Sequence, residues 1–135
     1  MRIVCDTNVI VSGMLFGGHS RTVLTAVAQG RVEAFTSPAL LHELREVLQR
    51  RKFRLKPEQI DAVMELVRES FTCVDSSTVF SVIADDSDDD RVLETALASQ
   101  SRVIVSGDGH LLALGAWRSV TVFSPADFVT AYLKR

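Results

Sequence analysis

The sequence predicts an α/β protein with three α/β/α layers around a central, mostly parallel sheet. Short apolar and β-branched segments alternate along the chain with segments whose apolar residues recur at helical spacing. This alternation is typical of a parallel sheet that is covered by helices on both faces. The chain has 135 residues, about the length of one domain, so residues 1–135 are expected to form a single domain.

Composition narrows the classes of protein to which the chain can belong. Apolar residues make up 47% of the sequence and charged residues 24%, values that are ordinary for a globular protein in water. The amino-terminal segment lacks the basic region and long apolar core of a signal peptide, and no apolar run approaches the roughly 18 residues of a membrane span. We therefore expect a cytoplasmic protein that does not bind membranes.

Net charge limits how the chain can bind a nucleic acid. The formal charge is −2, whereas a protein that holds nucleic acid by its overall charge is clearly basic. Binding would therefore depend on a local basic patch and on bound cations. One basic cluster is present, and it fits a solvated helix end somewhat better than an RNA-backbone contact. Its members are Arg50, Arg51, Lys52, Arg54 and Lys56.

The first half of the chain alternates strands and helices. Arg2–Cys5 is a short β-branched run, which predicts a buried strand that ends at Asp6. Ser37 and Pro38 predict a helix start, because a capping side chain precedes a residue suited to the first helical position. The other expected elements are a helix at 8–14 that stops before Gly17 and Gly18, a helix capped by Ser20 that runs through Gln29 to Gly30, a strand at 32–36, and a helix from Pro57.

The second half continues the same alternation. Residues 71–74 fit either a strand or the end of a helix, and both alternatives stay open. An acidic loop is expected at 85–90. The elements predicted after it are a helix with the apolar stripe Val92, Leu93, Ala96 and Leu97, strands at 102–105 and Val120–Phe123, and a helix started by Ser124, Pro125 and Asp127.

Cysteine and histidine offer little chemistry in this sequence. Cys5 and Cys73 lie inside apolar runs and are interpreted as small core residues in a reducing compartment, with a disulfide between them as the less favoured alternative. His19, His42 and His110 have no metal-ligand spacing with the cysteines and are interpreted as surface or capping residues.

Four acidic residues are candidates for one site. Asp6 follows the first strand, and Asp108 comes shortly after the 102–105 strand. The carboxyl ends of parallel strands lie at the same edge of a sheet, where functional sites of such folds gather. Asp89 is expected at the start of a helix, and Glu43 borders the apolar stripe of its own helix. The four carboxylates can therefore meet in one pocket.

Four carboxylates in one pocket need neutralisation, because like charges repel strongly where the dielectric constant is low. Oxygen ligands favour Mg²⁺ or Mn²⁺ over zinc. Each acid also has an ordinary interpretation. Asp6 fits a turn or cap residue, Asp108 a loop residue, Glu43 a surface residue of a helix, and the acidic run a solvated loop. The joint arrangement is what favours a metal site.

The run from Asp88 to Asp90 contains more than one possible ligand. Asp89 is in helical register with Val92, Leu93 and Ala96, the residues that should face the sheet. Asp90 lies about 100° further round the helix and is the second candidate. Asp88 precedes the periodic run and is interpreted as a cap or loop residue.

Four segments together resemble the motifs of the PIN domain family. The resemblance covers nearly the whole chain in order, spacing and element type, and it is greatest to the VapC-like toxins of bacterial toxin–antitoxin pairs. The segments are Val4-Cys5-Asp6-Thr7-Asn8-Val9, Leu41-His42-Glu43-Leu44, Asp88-Asp89-Asp90-Arg91-Val92-Leu93-Glu94-Thr95-Ala96 and Val103-Ile104-Val105-Ser106-Gly107-Asp108.

The resemblance implies a PIN-like fold and a metal-dependent endoribonuclease. In such an enzyme the metal ligands and catalytic residues would be Asp6, Glu43, Asp89 and Asp108. Thr7, Asn8 and Ser106 would support these ligands or contact phosphate, although Asn8 fits a helix cap equally well. The implied partners are RNA, an antitoxin protein and a second copy of the chain in a homodimer.

Three other functions remain as alternatives. PIN nucleases also act in RNA processing and decay, and a PIN scaffold that has lost catalysis binds a partner only. A signalling receiver domain is also a small parallel α/β protein with an acidic pocket. Its fold needs a Lys after the fifth strand, whereas Ser106 and Ser124 follow the late strands here. The presence of all four acids favours the nuclease.

Overall fold

The computed structural model describes residues 1–75 and 87–134, with the backbone alone for residues 87–90. The strands are β1 (Arg2–Cys5), β2 (Glu33–Thr36), β3 (Phe71–Cys73), β4 (Val103–Val105), β5 (Ala116–Trp117) and β6 (Val120–Phe123). The helices are α1 (Thr7–Leu15), α2 (Gly18–Ala28), α3 (Pro38–Leu48), α4 (Pro57–Ser70), α5 (Ser87–Ser99), α6 (Gly109–Leu114) and α7 (Pro125–Phe128). A 3₁₀ turn at Arg51–Phe53 follows α3, and a π-helical turn at Val129–Leu133 follows α7.

The six strands form one sheet in the order β3-β2-β1-β4-β6-β5. All neighbours pair in parallel except β5 and β6, which are antiparallel. The strand β1 therefore lies in the interior of the sheet beside β4. This arrangement brings the carboxyl ends of β1 and β4 together, because Cys5 pairs with Val105.

Alternate residues of the central strands pack on opposite faces of the sheet. Ile3 and Cys5 belong to a core that is shared with α1, α2 and α4, whereas Val4 belongs to a second core with α5 and α6. All three side chains are buried. This alternation explains why the strands are apolar throughout, and the helices on both faces confirm the predicted α/β/α layers and mostly parallel sheet.

Several boundaries differ from the prediction. The helix expected from Ser20 begins at Gly18, because Gly17 adopts a positive φ of 102° and turns the chain into the helix earlier. Ser20 is instead a buried residue inside α2. The ambiguous segment 71–74 forms the strand β3. Neither β5 nor α6 was predicted.

The acidic run is also organised differently. Helix α5 begins at Ser87, so Asp88 is its second residue and the interpretation of Asp88 as a cap or loop residue is wrong. The end of the expected acidic loop at 85–90 is therefore helical, and residues 85 and 86 lie outside the described residues. In the part of the chain that the structure describes, no helix is long and apolar enough to cross a membrane.

Candidate active site

Asp6 is held at the carboxyl end of β1 by its backbone and its side chain. Its backbone N–H donates to the carbonyl oxygen of Val105 in β4 at 2.9 Å. As the N-cap of α1, its Oδ1 accepts from the backbone N–H of Thr7 at 2.7 Å. Its Oδ2 accepts from the Ser106 hydroxyl at 2.7 Å. Asp6 is only 8% exposed, so these donors fix the orientation of its carboxyl group at this edge of the sheet.

Thr7 connects Asp6 to the third helix. The Thr7 hydroxyl donates to Oε2 of Glu43 in α3 at 2.5 Å, across 36 positions of sequence. Thr7 is buried and Glu43 is partly exposed. A threonine at this position therefore serves two carboxylates, one through its backbone N–H and the other through its hydroxyl.

Ser106 connects Asp6 to Asp108. Its fully buried hydroxyl donates to Asp6 and accepts from the backbone N–H of Asp108 at 2.9 Å. Asp108 is the N-cap of α6, where its Oδ1 accepts from the backbone N–H groups of His110 at 2.8 Å and Leu111 at 3.2 Å. Oδ2 of Asp108 accepts no hydrogen bond from the described residues, so this oxygen can coordinate a cation.

Asn8 lies exposed at the same edge of the sheet. Its Oδ1 accepts from the backbone N–H of Gly107 at 3.3 Å. The interpretation of Asn8 as a helix cap is wrong, because Asp6 caps α1. With its oxygen engaged, the amide of Asn8 still has its N–H groups to donate to an approaching anion.

Hydrogen bonds thus link Asp6, Glu43 and Asp108 through Thr7 and Ser106. Among the described residues, no three His, Cys, Asp or Glu side chains are grouped so that they could hold a metal ion by themselves. The side chain of Asp89, the fourth predicted ligand, lies outside the described residues. The donors that are described are carboxylate and hydroxyl oxygens, which suit a hard divalent cation. The metal role of the four acids stays a prediction.

The cysteines and histidines take no part in this network. Burial, and to a lesser degree the charge of Asp6, raise the pKa of Cys5 to about 12, so its thiol stays protonated. Both cysteines are free. The interpretation of Cys73 as a core residue is wrong, because it lies exposed in β3, which is an edge strand of the sheet that the described residues form. His19, His42 and His110 are exposed, as expected.

Sequence reasoning missed one structural role at this site. The sequence predicts a loop residue or metal ligand at Asp108, whereas Asp108 also caps the start of α6. Asp is a favoured N-cap, and Leu111 is a buried apolar residue of that helix. The sequence therefore contains a signal for a helix start at Asp108. It was obscured because Gly107 and Gly109 flank Asp108 and glycine usually marks a turn.

Replacing Ser106 with Ala is expected to lower the free energy of unfolding by about 1–3 kcal/mol. The substitution removes a donor from the buried Asp6 carboxylate and an acceptor from the Asp108 N–H, and it adds no compensating contact. Urea unfolding of the variant beside Ser119→Ala, an exposed serine, measures the difference. The bridging role of Ser106 is wrong if both variants unfold at the same urea concentration.

Comparisons with known proteins agree with this architecture. A comparison with curated proteins gave no match. Among solved structures, the chain is similar to a chain in the crystal structure of VapBC2 from Rickettsia felis bound to a DNA fragment from its promoter. The TM-score is 0.66 at 15% sequence identity, and the match covers 92% of this chain and 98% of that one, which shows a shared fold. The family model of the PIN domain matches residues 2–110, so the chain belongs to the PIN domain family.

Proposed function

We propose that this PIN domain is a metal-dependent endoribonuclease whose catalytic residues and metal ligands are Asp6, Glu43, Asp89 and Asp108. The observation that carries the proposal is the buried Asp6 carboxylate, which Thr7 and Ser106 orient at the edge where Asp108 also lies. PIN domains are generally nucleases, and an oxygen-only site favours Mg²⁺ or Mn²⁺.

Hydrogen bonds among the described residues preorganise the site for substrate. Thr7 and Ser106 hold Asp6 in one orientation, and Thr7 also fixes Glu43, so little reorganisation is needed when charge enters the pocket. Divalent cations held by Asp6, Glu43, Asp89 and Asp108 would supply charge neutralisation and activation of the attacking water. The exposed amide of Asn8 can donate a hydrogen bond to a non-bridging phosphate oxygen, which would place the scissile phosphate beside the acids.

A cleavage assay tests the enzyme directly. Purified protein is incubated with a single-stranded RNA carrying a label at each end, in Mn²⁺, in Mg²⁺ and in EDTA. Internal cleavage in either metal and none in EDTA supports the proposal. The absence of cleavage in both metals, from protein that melts cooperatively, would favour the alternative of a PIN scaffold that only binds a partner.

Divalent metal is expected to stabilise the folded protein. A ligand that binds only the folded state stabilises it by mass action, by about 2.7 kcal/mol when its concentration is a hundred times its Kd. Thermal melts in millimolar Mn²⁺ should therefore have a midpoint several degrees above melts in EDTA. The increase should be smaller for Asp6→Asn. An unchanged midpoint in the wild type would show that the four acids do not share a metal site.

The biological role that we propose is the toxin of a type II toxin–antitoxin pair in the cytoplasm. The fold shared with a chain of the VapBC2 complex supports this role. We propose further that the protein forms a homodimer and that a basic side chain of a cognate antitoxin enters the acidic pocket, where charge complementarity favours it.

Expression in bacteria distinguishes this role from RNA processing or decay. Expression of the wild type alone should arrest growth, and co-expression of the product of the neighbouring gene should restore it. Growth without arrest, from a protein that cleaves RNA when purified, would favour the processing or decay alternative. The receiver-domain alternative is wrong, because the PIN model accounts for residues 2–110.

A further inference from the structure

A groove leads away from the candidate active site along the surface of α1. One wall of the groove is a face of α1, and the other is formed by the end of α3 and the 3₁₀ turn that follows it. The volume of the groove is about 430 Å³. We refer to it as the aromatic–basic groove. Its main lining residues are Asn8, Phe16, Val47, Arg50, Lys52 and Phe53.

The groove is continuous with the acidic site through Asn8. Asn8 lines the groove and also accepts from Gly107, beside Asp108. Phe16 is the C-cap of α1 and follows Asn8 by eight residues, at two successive steps of four, so it leaves the helix close to the face that carries Asn8. At 1.5 Å per residue, Phe16 lies roughly 12 Å from Asn8 along the helix. A polymer bound at the acidic site can therefore continue into the groove.

Two aromatic rings and a cation meet at the far end. Phe16 is 71% exposed, and its ring centre lies 6.1 Å from that of Phe53. The ammonium group of Lys52 lies 5.1 Å from the centre of the Phe53 ring. A single exposed aromatic residue needs no explanation, but an exposed ring beside a second ring and a cation is the arrangement on which nucleic-acid bases stack.

The basic cluster follows α3 at this end of the groove. Arg50, Arg51, Lys52 and Arg54 are exposed, and among the side chains of residues 1–75 and 91–134 no carboxylate lies within ion-pair distance of them. Helix α3 ends at Leu48, so most of these cations lie beyond its last turn, where the helix dipole has little effect. The structure thus weakens the interpretation of the cluster as a helix end stabilised by its dipole.

We propose that the aromatic–basic groove binds the single-stranded RNA next to the scissile phosphate, with a base stacked on Phe16 and Phe53 and phosphates beside Arg50 and Lys52. This inference rests on the proposed function, since it takes the acidic site to hold a phosphate of the same strand. Charge complementarity favours RNA over an apolar protein segment as the occupant, because the cations that border the rings match a polyanion.

Binding measured without cleavage tests the groove separately from the enzyme. Fluorescence anisotropy with a short labelled single-stranded RNA in EDTA gives the Kd of each variant. Phe16→Ala and Lys52→Ala are each expected to weaken binding about tenfold, whereas Phe16→Trp should bind at least as well as the wild type. The matched controls are Leu66→Ala, an exposed apolar residue of α4, and Lys134→Ala, an exposed lysine outside the groove.

Salt titration separates stacking from charge. Lys52→Ala should reduce the slope of log Kd against log salt by about 0.7, the value for one phosphate contact on a single strand, whereas Phe16→Ala should leave the slope unchanged. In Mn²⁺, Phe16→Ala should raise KM and leave kcat nearly unchanged.

The outcomes distinguish this inference from the proposed function. Weakened RNA binding by the groove variants, from a wild type that shows no cleavage, would support the groove and contradict the enzyme. Cleavage by the wild type, with groove variants that bind RNA as the two controls do, would overturn the inference. Unchanged RNA affinity together with lost binding of the co-expressed neighbouring gene product would identify the groove as a protein-docking surface and would also overturn it.

Discussion

Asp6→Asn is expected to lower Mn²⁺-dependent RNA cleavage on the order of a thousandfold while the protein keeps its fold. The substitution removes the negative charge that would coordinate the cation. A loss of several kcal/mol of transition-state stabilisation corresponds to about three orders of magnitude in rate. Asn has nearly the volume of Asp and is an equally favoured N-cap, so the bond from the Thr7 N–H can persist. The Ser106 hydroxyl donates to Oδ2 in the wild type, and it can accept from the amide nitrogen that replaces this oxygen in Asn.

The measurement is single-turnover cleavage of labelled RNA at saturating Mn²⁺, with thermal melts of each protein. Asp127→Asn is the matched control, because Asp127 is an exposed acid near the start of α7 and no hydrogen bond to its carboxylate is required there. The control should cleave at the wild-type rate. Equal rates for wild type and Asp6→Asn, from proteins that melt alike, would show that Asp6 is not a metal ligand.

The layers and most elements of this fold can be predicted from the sequence because burial leaves a periodic pattern. β1 is buried on both faces and is apolar from Ile3 to Cys5, so its bounds are easy to see. Helix α3 carries its own start signal, since Ser37 accepts from the Leu40 N–H and Pro38 occupies the first turn. These signals are local, and local signals are what a single sequence contains.

The elements that were missed have weak local signals. Strand β5 has two residues and exists through its antiparallel pairing with β6, a contact that periodicity does not encode. Helix α6 has six residues, too few for a helical stripe to be recognised against the glycines around its cap. The start of α2 was placed late because Ser20 resembles a cap, whereas the positive φ of Gly17 decides the boundary.

The site could be predicted in part for the same reason. Asp6 and Asp108 follow neighbouring parallel strands, so topology alone predicts that they share an edge. The links between the acids could not be predicted, because the Thr7–Glu43 bond spans 36 positions and depends on how α3 packs against α1. The Phe16–Phe53 contact in the groove joins residues that are similarly far apart in sequence, and each of them has an ordinary interpretation when it is taken alone.

Asp89→Asn is expected to lower Mn²⁺-dependent cleavage by orders of magnitude, whereas Asp88→Asn and Asp90→Asn should retain most of the activity. The backbone of α5 begins at Ser87, so all three acids lie in its first turn. Asp89 precedes Val92, Leu93 and Ala96 by three, four and seven residues, and these three residues are fully buried in the core against the sheet. Helical register therefore places Asp89 on the face of α5 that lies against the sheet.

Asp90 occupies a different register position on α5. Asp90 precedes the buried Leu93 by three residues, but it precedes Glu94 by four and Leu97 by seven, and these two are only partly buried. Its position is therefore about 100° further round the helix, at the edge of the buried stripe. The three Asn variants are compared at saturating Mn²⁺ after melts have shown equal stability. Because each substitution removes one charge from the same turn, a general electrostatic effect would lower all three rates alike, whereas loss of a ligand lowers one. Loss of activity confined to Asp90→Asn would show that Asp90 is the ligand and that the register is wrong by one residue.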